Sequence, residues 1–129
     1  MEQRSHSGHA PALPAAPLTL DGSYILHQMF RVRWTAWRAL GSSDRRHVLT
    51  DATATFGAME QNKQEPTGLF SMLGHKGDLM IVHFRKTLDA LNQAELTVAR
   101  SEISEYVEAT TSYLSVVELG VYETLVKLY

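Results

Sequence analysis

Proline interrupts every apolar run at the start of the chain, and a regular pattern sets in only at Asp21-Gly22. From Ser23 to Arg33 (SYILHQMFRVR), Tyr24, Leu26, Phe30 and Val32 fall on one side of an extended chain and Ile25, His27 and Met29 on the other. That spacing predicts a strand whose two faces are both apolar. The period then lengthens: Trp34, Trp37 and Leu40 recur at helical spacing until Gly41 interrupts, and Val48, Leu49, Ala52, Phe56 and Met59 take up the same spacing afterwards. Ser42-Ser43 offers an N-cap pair with Asp44 in the first turn, so the two stretches predict one broken helical crossover. Pro66 and Gly68 end it.

A hairpin follows, with Leu69 to Leu73 and Asp78 to Arg85 as short apolar runs flanking Gly74-His75-Lys76-Gly77. In the second run Leu79 and Ile81 lie opposite Met80, Val82 and Phe84. Thr87 is placed to cap a helix carrying Leu88, Leu91, Ala94 or Glu95, and Val98, and a short helical turn is expected from Ser101 to Tyr106. TSYLSVVELGVY, Thr111 to Tyr122, reads as a last strand with Leu114 and Val116 alternating with Tyr113, Val117 and Leu119.

The order is therefore βαββαβ, which predicts an α+β fold of the ferredoxin-like kind: a four-stranded antiparallel sheet with both helices on one face. Residues 1–18 are read as an Ala/Pro-rich tail, 19–122 as the domain, and 123–129 as the start of a linker or a truncated connection. A sheet with one face in water alternates apolar and polar residues, and the first, third and fourth strands do not. Their second face must meet something apolar, and a second sheet about 10 Å away would cover it. The competing expectation puts the extra apolar residues at strand ends, half exposed.

Composition narrows the function classes. With 129 residues, 44% hydrophobic and 20% charged, the chain has room for one core and has ordinary globular composition. Twelve basic against fourteen acidic residues leave a net charge of −2, which gives no electrostatic reason to expect nucleic acid or an anionic membrane as partner. Arg45-Arg46-His47 is read as the solvated face of a helix. The lack of cysteine excludes disulfides, thiolate metal sites and a cysteine nucleophile, and fits the cytoplasm. Pro11, Pro14 and Pro17 break up any signal-peptide core, and no apolar run is long enough to span a bilayer.

Candidate chemistry is sparse. No G-x-S-x-G motif supports a nucleophilic triad, and Gly74 to Gly77 lacks the P-loop spacing and reads as a hairpin turn. His6 and His9 are read as solvated residues of the tail. His27 and His83 lie on strands that neighbour each other in this fold; without a third ligand nearby in sequence they are expected to form a polar pair within a buried face. Trp34 and Trp37 read as core residues of a helix face, with an apolar pocket as the alternative. Glu105 with Glu108 and Glu118 with Glu123 are not spaced for acid and base work. These residues predict a fold and an interface, and no reaction.

The segments LTLDGSYILHQMFRVRWTAWRAL, GLFSMLGHKGDLMIVHFRKTLDAL and TSYLSVVELGVY, taken together, resemble the N-terminal half of the chlorite dismutase-like haem proteins, nearest their coproheme decarboxylase branch of haem-dependent peroxidases. The resemblance covers roughly Leu18 to Tyr122. It rests on the Leu-Asp-Gly opening, the strand with His27, the Trp-x-x-Trp pair, the Gly-x-Lys-x-Asp-like turn and Ser-Val-Val-Glu-Leu, in the family's order.

The resemblance implies two ferredoxin-like halves packed sheet to sheet, assembly as a homo-oligomer, and haem or iron coproporphyrin III as cofactor or substrate. It also implies a role in haem biosynthesis: hydrogen peroxide-dependent oxidative decarboxylation of iron coproporphyrin III to haem b. The family's iron ligand and reactive tyrosine belong to its second half and have no counterpart here. Tyr122 alone matches a family position, a tyrosine near the porphyrin propionates, which implies a cofactor-binding phenol; an ordinary interface tyrosine is the other reading. A non-catalytic dimeric α+β-barrel protein enclosing a small ligand is the alternative function.

Overall fold

A computed structural model describes residues 22–74 and 76–117. Strand β1 (Tyr24–Val32) leads into a short helix α1 (Trp34–Ala39) and a long one, α2 (Ser42–Gln61). The hairpin of β2 (Thr67–Ser71) and β3 (Leu79–Arg85) follows, then α3 (Leu88–Arg100), a 3-10 turn over Glu102–Tyr106 and β4 (Val107–Val116). The strands form one antiparallel sheet in the order β2-β3-β1-β4. The expected βαββαβ order and the α+β class are both borne out. The expected tail (1–18), the connection at 123–129 and the last residues of the expected fourth strand, Tyr122 among them, lie outside the described residues.

Element boundaries follow local chemistry. The crossover breaks where Leu40 turns extended, and α2 is capped by Gly41, whose carbonyl accepts from the Arg45 amide at 3.0 Å. Ser42 and Ser43 therefore sit inside the first turn instead of capping it, with Asp44 beside them facing the positive end of the helix dipole. Thr87 caps α3 as expected, its hydroxyl accepting from the Ala90 amide at 3.0 Å. β4 starts at Val107, earlier than expected, because Val107 and Ala109 already pair with Val32 and Phe30.

The core lies between the sheet and the helices. Phe30 of β1, Phe56 of α2, Ile81 of β3, Val98 of α3 and Val107 of β4 form one buried cluster, with Val32, Ala52, Met59, Leu69, Leu79 and Ile103 packed against it. Two expectations need correction here. Trp34 is 48% exposed and Trp37 is not buried, because α1 is only six residues long and none of its side chains reaches the core. Leu49 points outward with Arg46 and Thr50 on the solvent side of α2.

A bulge between Met29 and Phe30 on the β1–β4 ladder locks the β2–β3 loop to the sheet. The Thr110 hydroxyl lies 2.7 Å from the Lys76 carbonyl oxygen and 3.2 Å from that of Met29. The Asp78 amide donates to the Phe30 carbonyl (2.7 Å) while the Asp78 carboxylate accepts from the Val32 amide (2.8 Å). A Cβ at Gly77 would sit 2.8 Å from the Phe30 carbonyl oxygen, a backbone atom that cannot swing aside. Gly77→Ala is expected to destabilise the fold by about 1–3 kcal/mol in urea unfolding. Gly57→Ala, inside α2 with open space around it, is expected to be neutral or stabilising by up to about 1 kcal/mol.

Candidate functional site

The core-facing side of β1 carries Gln28 and Phe30, so strand alternation sends Ile25, His27 and Met29 to the opposite face. Register places Met80, Val82 and Phe84 of β3, Phe70 of β2, and Thr111, Tyr113 and Ser115 of β4 on that same face. No described helix packs there; α2 and α3 both lie over Phe30 and Ile81. Phe70 is 50% and Tyr113 48% exposed. Apolar and aromatic residues from all four strands thus make an uncovered wall, as the broken alternation predicts.

His27 stands on β1, one of the two inner strands, and its ring stacks on Tyr113 of β4 with centroids 4.3 Å apart and planes at 18°. Its Nδ1 is buried without a hydrogen-bond partner. His83 pairs with Leu26 in register, not with His27, which lies opposite Val82. The two histidines therefore face opposite sides of the sheet, and the expected polar pair does not form. A one-residue offset between neighbouring strands is enough to separate them.

His83 instead sits in a buried polar chain that sequence reading missed. Its Nε2 lies 3.3 Å from the Gln28 amide oxygen, which can only accept, so Nε2 carries the proton and Nδ1 accepts from the Thr67 hydroxyl at 2.8 Å. Arg85 Nη2 donates to Thr67 Oγ1 at 2.9 Å, and the Gln28 amide donates to Glu95 of α3 at 3.4 Å. The chain runs in one donor direction from Arg85 to Glu95. Burial, and then the nearby Arg85 charge, lower the His83 pKa to about 4, so the ring is neutral at physiological pH. Burial also lowers the Arg85 pKa, against the pull of Glu65. The signal was present in the sequence: Gln28, His83 and Arg85 occupy core-facing positions of their strands, where alternation calls for apolar residues.

Trp34 lines a shallow groove with Val32, Leu69, Phe70, Asp78 and Leu79, so the pocket alternative holds for Trp34 and not for Trp37. Trp37 meets Tyr106 edge to face at 5.8 Å. The Arg45-Arg46-His47 cluster stays on the helix surface, with His47 bonded to Glu102 at 3.0 Å. Gly74, with φ of 102°, belongs to the β2–β3 loop as expected.

Among the described residues no three His, Cys, Asp or Glu side chains converge to hold a metal ion. Both ring nitrogens of His83 are engaged, and His27 has no acceptor on Nδ1 to orient it as a ligand. The described residues thus offer no cluster for a bare metal ion; what they offer is an apolar surface. Nor is any described helix long and apolar enough to cross a membrane.

The family model described as chlorite dismutase matches residues 45–128. A relative from Halobacterium salinarum, named "Putative heme-binding protein", is 37% identical over 110 residues, covering 83% of this chain and 22% of its own length. One of the same name from Natronomonas pharaonis is 36% identical over 82% of this chain and 18% of its own. Among solved structures, a heme-binding protein from Thermus thermophilus superposes with a TM-score of 0.69 at 27% identity, covering 76% of this chain and 41% of that one. A mutant chlorite dismutase from Candidatus Nitrospira defluvii has the same fold, with a TM-score of 0.70 at 14% identity, covering 81% and 44%. The chain spans about a fifth of the curated relatives it matches and less than half of these solved chains.

Proposed function

The chain belongs to the chlorite dismutase family, and from that premise we propose that it is one ferredoxin-like half of a porphyrin-binding protein. The observation that carries this reading is the uncovered apolar wall of the sheet. A second ferredoxin-like sheet packs against that wall, and the composite holds haem or iron coproporphyrin III. The names of the Halobacterium and Thermus proteins support the porphyrin as ligand. In the finer reading this is the N-terminal half of a cytoplasmic coproheme decarboxylase that uses hydrogen peroxide to make haem b, with Tyr122 bonding a propionate. Iron chemistry is assigned to residues outside those described.

Absorption titration tests the reading. The chain is expected to shift the Soret band of iron coproporphyrin III more strongly than that of haem b, and Tyr122→Phe is expected to weaken binding of coproporphyrin by about tenfold. Unchanged spectra with both porphyrins would overturn it. The apolar wall also suits a second reading, a dimeric α+β barrel that encloses a small apolar ligand without iron. A compact dimer that takes up a small apolar ligand and leaves both porphyrin spectra unchanged would decide for that second reading.

A further inference from the structure

The helix side of β4 carries a second apolar patch, on the opposite face from the open wall. Register puts Ser112, Leu114 and Val116 beside Gln28, Leu26 and Tyr24, on the face that holds the core. Leu114 is nevertheless 55% and Val116 50% exposed, because α3 packs over β3 and β1 and not over this edge strand. Between α3 and β4 runs a groove, bounded at its far end by Glu95 and Ala99 on one side and Val107 and Ala109 on the other, with Gln28 and Phe30 as its floor. Leu88, seven residues before Glu95 on the same flank of α3, is 52% exposed at the near end. The groove is polar around Gln28 and Glu95 and apolar around Leu88, Leu114 and Val116. At that apolar end the Val117 amide donates to the Ser23 carbonyl at 3.0 Å, which fixes where the chain leaves the sheet.

The sequence that follows, ELGVYETLVKLY at 118–129, has a pattern that matches this patch. Val121, Leu125 and Leu128 recur at i, i+4 and i+7, while Glu123 and Lys127, spaced i, i+4 for an ion pair, fall on the opposite side. Gly120 stands just before them and permits a reversal of the chain. As a helix, residues 121–129 extend about 13 Å, which is about the length of strand from Val116 back to Ser112. The N-terminal stretch joins the sheet at the same end, but Pro11, Pro14 and Pro17 break any such stripe there. We propose that residues 121–129 fold back as an amphipathic helix into the groove between α3 and β4, setting Val121, Leu125 and Leu128 against Leu26, Leu114 and Val116. The segment completes the helical layer over the edge strand. Tyr122, on the flank of the stripe, stays clear of the groove, so the inference holds whether or not the opposite face binds a porphyrin.

Because the chain has no cysteine, introduced pairs report which face the segment lies on. The full chain is made as Leu114→Cys with Leu125→Cys and as Ser115→Cys with Leu125→Cys, diluted, and treated with a short bismaleimide. The two pairs have nearly the same separation along the chain, but Leu114 faces the helices and Ser115 the open wall. The inference expects the Leu114 pair to close within one chain about tenfold faster than the Ser115 pair, as read by mass spectrometry. Equal rates, or a faster Ser115 pair, would overturn it. Links that form only between two chains would also overturn it, since the groove would then hold the segment of a second copy. A further variant needs no cysteine: Leu125→Asp is expected to lower the melting temperature by several degrees while Glu123→Ala leaves it unmoved. An unmoved melting temperature in Leu125→Asp would overturn the packing of the stripe.

Discussion

Phe30→Ala is expected to lower the free energy of unfolding by about 3–5 kcal/mol, a large part of the roughly 5–15 kcal/mol that holds a domain together. The ring is buried where β1, α2, β3, α3 and β4 meet, touching the cluster of Phe56, Ile81, Val98 and Val107. Five elements frame the site, so no single segment can collapse into the cavity left behind. The Phe30 carbonyl also receives the Asp78 amide, so any backbone shift that relieved the cavity would strain the β2–β3 loop lock. Urea unfolding with an unchanged m-value would establish the loss; a change below about 1 kcal/mol would mean that the cluster is not the core.

His83→Leu is expected to cost about 2–4 kcal/mol, although it places an apolar side chain in a fully buried position. The Thr67 hydroxyl and the Gln28 amide oxygen would each lose the ring nitrogen that satisfies them. Arg85 would keep its three backbone acceptors, the carbonyls of Glu65, Pro66 and Phe84, which localises the damage to the middle of the chain. The wild type should also lose stability on acidification. With a folded-state pKa near 4 and an unfolded value of 6.5, the unfolded chain takes up a proton that the folded chain refuses. The contribution of His83 is therefore fully present above pH 6.5 and falls away as pH drops toward 4, by on the order of 3 kcal/mol. Stability of His83→Leu measured from pH 7 to pH 4 should lack this component; an identical pH profile would show that His83 is not the titrating group.

The elements with strong period were legible without the structure. Strands β1 and β3, the Thr87 cap and the β2–β3 loop at Gly74 fall where the pattern puts them, and the broken alternation of β1 and β3 correctly announces an uncovered wall. Tertiary placement was less legible. The spacing of Trp34 and Trp37 matches a buried helix face, but α1 ends at Ala39, before it can reach the core. The His27–His83 pair failed because adjacency of two strands does not give their register, and a shift of one residue sends a side chain to the other face. The Arg85–Thr67–His83–Gln28–Glu95 chain joins residues far apart in sequence, and polar groups at core-facing positions betray its presence without naming their partners.

The most direct measurement is the mass of the chain in solution by light scattering after size exclusion, with and without iron coproporphyrin III. If the open sheet face is one wall of a porphyrin-binding composite, the protein will run as a discrete multiple of 14.4 kDa and shift the porphyrin's absorption on binding. A single 14.4 kDa chain that leaves the porphyrin spectrum unchanged would contradict it.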